Sequence, residues 1–354
     1  MTLIYAKARL AEGSSNDPAL VRRLQTDLRA LGYLARGIDG IFGPRTGLAV
    51  RRLQHDLLHN DGRSAANDGP APVAMTDYNV GHITAETGLV DARLADCIEA
   101  LVIDEAVPKL PRSGDGAAAN VAALAAAAAA PSRLAPTPFV VAMARQESGA
   151  LHFREPSGHD EDDFLRLSLA GDPAAPHRVT ARGYGLGHYV IHHHPPRPEE
   201  LRDLIANPVN NLQRIRDGLR DAFEGGLVGG RPDSAAPDRL AEHPLLPLRA
   251  CRFRPGDPRY LNDCGSCARQ AMRRDIRPST PLHRGAEATY GAVADAAYGY
   301  PGVPDRACFP CDWPYAARRY RGAGVDSYHY QARLLIDLRD GPAEANLPDA
   351  GQPG

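Results

Sequence analysis

Long apolar runs are missing from this chain, and lysine is almost missing. Lys7 and Lys109 are its only lysines, so arginine carries nearly all of the positive charge. The formal net charge is -2 over 354 residues, with acidic and basic groups almost in balance. That balance removes any global electrostatic case for nucleic acid or an anionic membrane as partner. The first ten residues carry charge and lack an apolar core, so they do not read as a secretory signal. The most apolar-looking run, residues 117–130, is alanine-rich, contains Asn120 and stops at Pro131. It is too short and too weakly hydrophobic to insert into a bilayer, although alanine favours a helix there. The expectation is a chain made in the cytoplasm as a soluble protein. No solenoid-type repeat is visible. At about 100–200 residues per domain the length predicts two domains, and 43% apolar residues are ample for their cores.

Six cysteines are present, and five of them fall between positions 251 and 311. Cys264 and Cys267, then Cys308 and Cys311, form two C-x-x-C pairs. Their spacing suits a tetrahedral structural zinc. Disulfides formed after export fit the same pairs, and the two readings stay open. Either would staple a Cys-rich insertion (251–311) that has little apolar content of its own. Cys251 and Cys97 fit neither scheme. His192, His193 and His194 are consecutive and precede two prolines, a pattern that reads as a loop rather than a metal site.

Helical periodicity begins at Asp17-Pro18, an N-cap followed by proline at the first helical position. Leu20, Leu24, Leu28 and Leu31 follow at helical spacing. Residues 37–43 form a glycine-rich loop. Pro44 then opens a second helix with Thr46, Val50, Leu53 and Leu57 on one face. The stretch VRRLQTDLRALGYLARGIDGIFGPRTGLAVRRLQ, from Val21 to Gln54, resembles the peptidoglycan-binding domain of many wall hydrolases. The LQ, LGY, DGIFGP-T, AV and second Q elements all stand at the family's spacings. The resemblance implies a small three-helix bundle over residues 1–62 that binds peptidoglycan. Residues 63–136 read as a linker and helical extension, with helical periodicity through Leu94, Cys97, Leu101 and Val102.

Phe139, Met143 and Glu147 recur at i, i+4 and i+8, close to one helical stripe. Glu147 ends this apolar helix, immediately before Ser148-Gly149. A carboxyl held against apolar surface favours its protonated form, which a general acid needs. Tyr184-Gly185-Leu186-Gly187-His188-Tyr189, Asn207-Pro208 and Asn211-Leu212 follow in order. Near the end stands AARRYRGAGVDSYHYQARLL, from Ala316 to Leu335. This ordered set resembles the lysozyme-like superfamily of goose-type lysozymes and soluble lytic transglycosylases. The resemblance implies a mainly α chain with a larger helical lysozyme-like catalytic domain over 137–340 and a flexible tail over 341–354. It implies Glu147 as catalytic acid and Ser148, Tyr184, Gly185, His188 and Tyr320 as substrate-binding residues. His188 stands where the family usually has Gln, and Arg321 where it usually has Asn.

Asp160, Glu161, Asp162 and Asp163 form an acidic cluster after Glu147. An inverting hydrolysis needs a second carboxylate roughly 6.5–9.5 Å from the acid, and Asp160, then Asp163, are the expected bases. Without a base, the sugar's 6-hydroxyl closes the ring and leaves an anhydro product. The expected function is a muramidase that cuts the β-1,4 bond between N-acetylmuramic acid and N-acetylglucosamine without a catalytic cofactor. The alternatives are a lytic transglycosylase and a noncatalytic wall-binding protein. A wall substrate requires export by lysis, a holin or a contractile secretion machine. An endolysin, an antibacterial effector with an immunity partner, and a housekeeping enzyme are all compatible with the residues.

Overall fold

The computed structural model describes residues 8–129, 135–225, 251–271, 309–322 and 325–340. It is helix-rich, with one small antiparallel sheet, and its residues gather into two compact units. The described residues of the first lie within 8–123 and 151–211, those of the second within 124–150 and 212–340. Among the described residues no helix is long and apolar enough to cross a membrane.

In the first unit, helix α1 (Pro18–Ala30) starts as expected. The Asp17 carboxylate accepts a hydrogen bond from Ala19 N, and Pro18 occupies the first turn. Helix α2 (Pro44–His59) begins at its own proline. Leu24, Leu28, Val50, Leu53 and Leu57 are all but inaccessible to solvent in one core. The third helix of the bundle does not lie within residues 1–62. It is α3 (Ala92–Ile103), capped by Asp91, which places Leu94, Ala95, Cys97, Ile98 and Leu101 in the same core. A short 3-10 turn, Met75–Tyr78, and the strap through Ile83 and Val90 close it further. Residues 63–103, expected as linker and extension, therefore complete the bundle, because a two-helix hairpin leaves one apolar face uncovered.

Helix α4 (Gly116–Ala129) confirms the helical propensity of the alanine run. Its Asn120 is the polar anchor. The side-chain oxygen accepts from His152 N and Phe153 N, and the amide donates to Phe153 O. Between α5 (Thr137–Ser148) and the helices that follow, the chain forms the sheet. Strands β1 (Leu167–Gly171), β2 (Val179–Tyr184) and β3 (Tyr189–Ile191) pair antiparallel in chain order, with Leu167 opposite Tyr184 and Tyr184 opposite Tyr189. A second core, holding Ile38, Leu110, Phe164, Leu165, Tyr184, Ile191 and Ile205, lies under it. Helix α6 (Pro198–Glu200) runs on into a wider π-type turn, Leu201–Ile205. Helix α7 (Pro208–Gly225) starts at the Asn207-Pro208 element.

In the second unit, α5 (Thr137–Ser148), α8 (Cys264–Ala271) and α9 (Trp313–Arg321) pack against α10 (Val325–Asp340). Trp313 stacks on Phe223, with ring centroids 3.9 Å apart, and Phe139 meets Phe309 edge-on. These residues do not cluster as one 137–340 domain, because 151–211 gather with the N-terminal residues instead. The expected tail, residues 341–354, lies outside the described residues.

Candidate functional site

Two glutamines of the N-terminal motif each clamp a loop. Gln25, on α1, is 1% exposed. Its amide donates to the Asp39 carboxylate, the Ile41 carbonyl and the Thr46 hydroxyl at 2.9–3.1 Å, and its oxygen accepts from Gly40 N at 2.8 Å. Gly40 takes a positive φ of 78°, and a Cβ there would lie 3.0 Å from the Pro18 carbonyl. The clamped loop turns Phe42 inward and leaves Ile41 66% exposed. Gln54, on α2, treats the strap 87–89 in the same way. It donates to Thr87 Oγ1 and Leu89 O and accepts from Gly88 N.

Glu147 lies half-buried in the last turn of α5, which Gly149 ends in the left-handed conformation, φ 69°. Phe139 and Met143, on the same stripe, are buried. Around Glu147 stand two phenols, Tyr320 of α9 and Tyr330 of α10, with ring centroids 6.5 Å apart. Burial, and after it the Glu147 carboxylate, push Tyr330 well above the usual phenol range and Tyr320 up to about 12. Arg214 and Arg321 act on Tyr320 in the opposite direction, so positive charge also reaches this cluster. Tyr320 fits because position 218 is glycine, where a Cβ would come within 2.6 Å of the ring. Gln146 donates to the Tyr330 carbonyl at 3.2 Å and ties α5 to α10. Ser148 is buried, and its hydroxyl donates to the Ala144 carbonyl at 2.7 Å.

The turn between β2 and β3 is held from below. His152 Nδ1 accepts from Leu186 N, so its proton sits on Nε2, which donates to the Ala206 carbonyl at 2.9 Å. Burial lowers the His152 pKa, which keeps the ring neutral for this task. Asn211 accepts from Gly187 N and donates to Tyr184 O. Gly185 has φ 66°, and a Cβ there would meet His152 Nδ1 at 2.7 Å. Gly185 therefore serves the backbone turn. Tyr184 is fully buried in the sheet core, so its expected role as a sugar contact is withdrawn. His188, at φ 49°, lies over Gly183 with Nε2 2.6 Å from Ser168 Oγ and keeps partial exposure.

The acidic loop is held by hydrogen bonds and ion pairs. Asp160 accepts from Ile38 N and Asp162 N and pairs with Arg154. Asp163 pairs with Arg112 and accepts from Gly114 N. Asp162 meets Arg29 of α1, and Glu161 meets Arg22. The loop is docked on the peptidoglycan-binding motif by these bonds, and the carboxylates of Asp160 and Asp163 are engaged in structure rather than offered as bases.

Cys251, Cys264, Cys267 and Cys311 line one pocket together with Phe253, Phe309 and Trp313. All four are free thiols, and burial raises the pKa of Cys267 and Cys311. Cys308 lies outside the described residues, so the second C-x-x-C pair is incomplete there. Among the described residues these sulfurs do not converge as a ligand set. Cys97 is a core residue of the first unit. The three consecutive histidines diverge. His193 bridges Asp68 and Glu200, while His194 packs edge-on against Tyr33.

Residues 17–57 match the family model of a putative peptidoglycan binding domain. No curated protein and no solved structure matches the chain. The match supports an N-terminal peptidoglycan-binding domain and an association with the cell wall. Tyr330 and the supporting pair His152 and Asn211 were not singled out as site residues in the sequence. Only the DSYHYQ run and the Asn after Asn207-Pro208 carried a signal for them.

Proposed function

We propose that the chain binds peptidoglycan through residues 17–57 and cleaves its glycan strand with Glu147 as the general acid. The observation that carries this reading is the half-buried Glu147 flanked by Tyr320 and Tyr330. A positioned carboxylic acid of this kind donates its proton to the glycosidic oxygen as the bond to the sugar breaks. The two phenols fix the carboxyl, and remote binding by the module raises the local concentration of substrate. The bond at issue is the β-1,4 linkage between N-acetylmuramic acid and N-acetylglucosamine.

A second reading concerns the product. Asp160 and Asp163 both stand in ion pairs, which supports internal attack by the 6-hydroxyl, the lytic transglycosylase outcome. Mass spectrometry of digested cell walls tests both steps. Glu147→Gln should lower product formation by about 10²–10⁴-fold with folding intact. Retained activity would remove Glu147 as the acid, and wild-type protein that releases no fragments would leave a binding protein. Anhydro ends would identify the transglycosylase, reducing ends the muramidase.

A further inference from the structure

Helix α2 (Pro44–His59) ends in a pair of histidines. His55 and His59 stand one helical turn apart, so their rings share a face. Their centroids lie 4.7 Å apart. Glu86 reaches them from the strap before Val90. Its Oε1 lies 2.6 Å from His55 Nδ1 and 3.5 Å from His59 Nε2. Its other oxygen lies 2.9 Å from Nε2 of His177, in the β1–β2 loop. The ligand atoms of His55, His59 and Glu86 all fall within 4.8 Å of one another, and they are the one such grouping among the described residues.

The surroundings hold these groups in place. Gln54, the neighbour of His55, clamps residues 87–89 directly after Glu86. Arg52 donates to the carbonyl of Pro176, directly before His177. One helix therefore positions its own two imidazoles and both loops that face them. Burial works to raise the Glu86 pKa, but His55, His177 and His59 outweigh it and hold the carboxyl below its usual range. The His59 side chain is 59% exposed, which leaves an approach from solvent.

We propose that His55, His59 and Glu86 bind a divalent transition metal, with Zn2+ the best fit, and that His177 orients Glu86 through its second oxygen. Two imidazoles and a carboxylate form a nitrogen–oxygen set suited to zinc, and poorly suited to Mg2+ or Ca2+, which take oxygen ligands. Partners that fix the far side of a ligating group are the usual companions of such a site. The metal would join α2 to two loops distant in sequence and so add its binding to the stability of this unit. This site is independent of Glu147 and of the cysteines.

The test uses the full chain, stripped with chelator and titrated with Co2+ as a spectroscopic stand-in for Zn2+. Visible d–d bands should appear at about one equivalent, without the intense near-ultraviolet bands of thiolate ligation, and Zn2+ should abolish them. His177→Gln, which removes only the partner that orients Glu86, should weaken binding about 10–100-fold. His59→Asn, which removes a ligand, should weaken it more and leave the melting temperature of the metal-free protein unchanged. Absence of d–d bands overturns the proposal. So do thiolate bands alone, or an affinity that His59→Asn does not alter.

Discussion

Arg29 and Asp162 are both fully buried, and Arg29 Nε lies 3.0 and 3.1 Å from the two carboxylate oxygens. The guanidinium also donates to the Leu165 carbonyl at 2.8 Å. Burial acts against the charge of both partners, while their mutual attraction opposes it. Removing one partner strands the other charge in the core. Asp162→Ala should cost about 3–5 kcal/mol of stability, read from urea unfolding. The double variant Arg29→Met with Asp162→Leu should cost much less than the sum of the two single changes. Additive costs would mean that the two side chains are not coupled.

Ile41 tests where the module touches the wall. It is a large apolar side chain presented to solvent on a loop that Gln25 holds rigid. Ile41→Ser should lower binding to purified sacculi several-fold and leave the melting temperature within about 1–2 °C, because no core contact is lost. Gln25→Ala should lower both, since it leaves buried groups of the loop unsatisfied at about 1–3 kcal/mol. Full sacculus binding by Ile41→Ser would move the contact elsewhere on the module.

Tyr330 tests the environment of Glu147. Burial and the Glu147 carboxylate both push the Tyr330 phenol upward, so the two groups are close neighbours. Tyr330→Phe should lower the rate of wall digestion and leave the melting temperature within about 1–2 °C. Digestion rates and thermal unfolding of the two proteins check this. An unchanged rate would reduce Tyr330 to packing.

Asp68 carries a pH-dependent share of stability. Burial works to raise its pKa, but Ser64, His192 N and His193 outweigh it and hold it at about 2, below the ordinary 3.8. Its folded-state pKa is depressed, so its contribution is present above the ordinary value and is lost as pH falls toward the folded one. With a quarter of the side chain exposed, about 1–2 kcal/mol is at stake. The stability gap to Asp68→Asn should hold between about pH 5 and 4 and close toward pH 2. A gap that stays constant down to about pH 2.5 would exclude this titration.

The helical parts were legible where one face repeats at 3.6 residues, as in Leu24-Leu28 and Val50-Leu53-Leu57, and where a cap names the start, as at Asp17-Pro18. The sheet was not, because Gly183 and Gly185 interrupt β2 and its turn and mask any alternation. The half-buried place of Glu147 at the end of an apolar helix was legible from its stripe and its neighbours Ser148-Gly149. The place of Tyr330 was not, since its approach to Glu147 depends on how α10 packs against α5. The acidic loop misled for a related reason. Four carboxylates in a row read as available charge until Arg22, Arg29, Arg112 and Arg154, all distant or unremarked in sequence, come to meet them.

The docking of that loop limits how this wall-binding module can be transplanted. A segment cut at residue 62 to decorate another protein would carry Arg29 and Asp56 without Asp162 and Arg182, their buried counterparts. It would also expose the apolar face that α3 covers. The portable unit is residues 8–123 together with 151–211, and because those two stretches are separated in the chain, grafting them requires a new join between positions 123 and 151. In this protein the residues that match the peptidoglycan-binding model fold as part of a wider neighbourhood, not as a linear cassette.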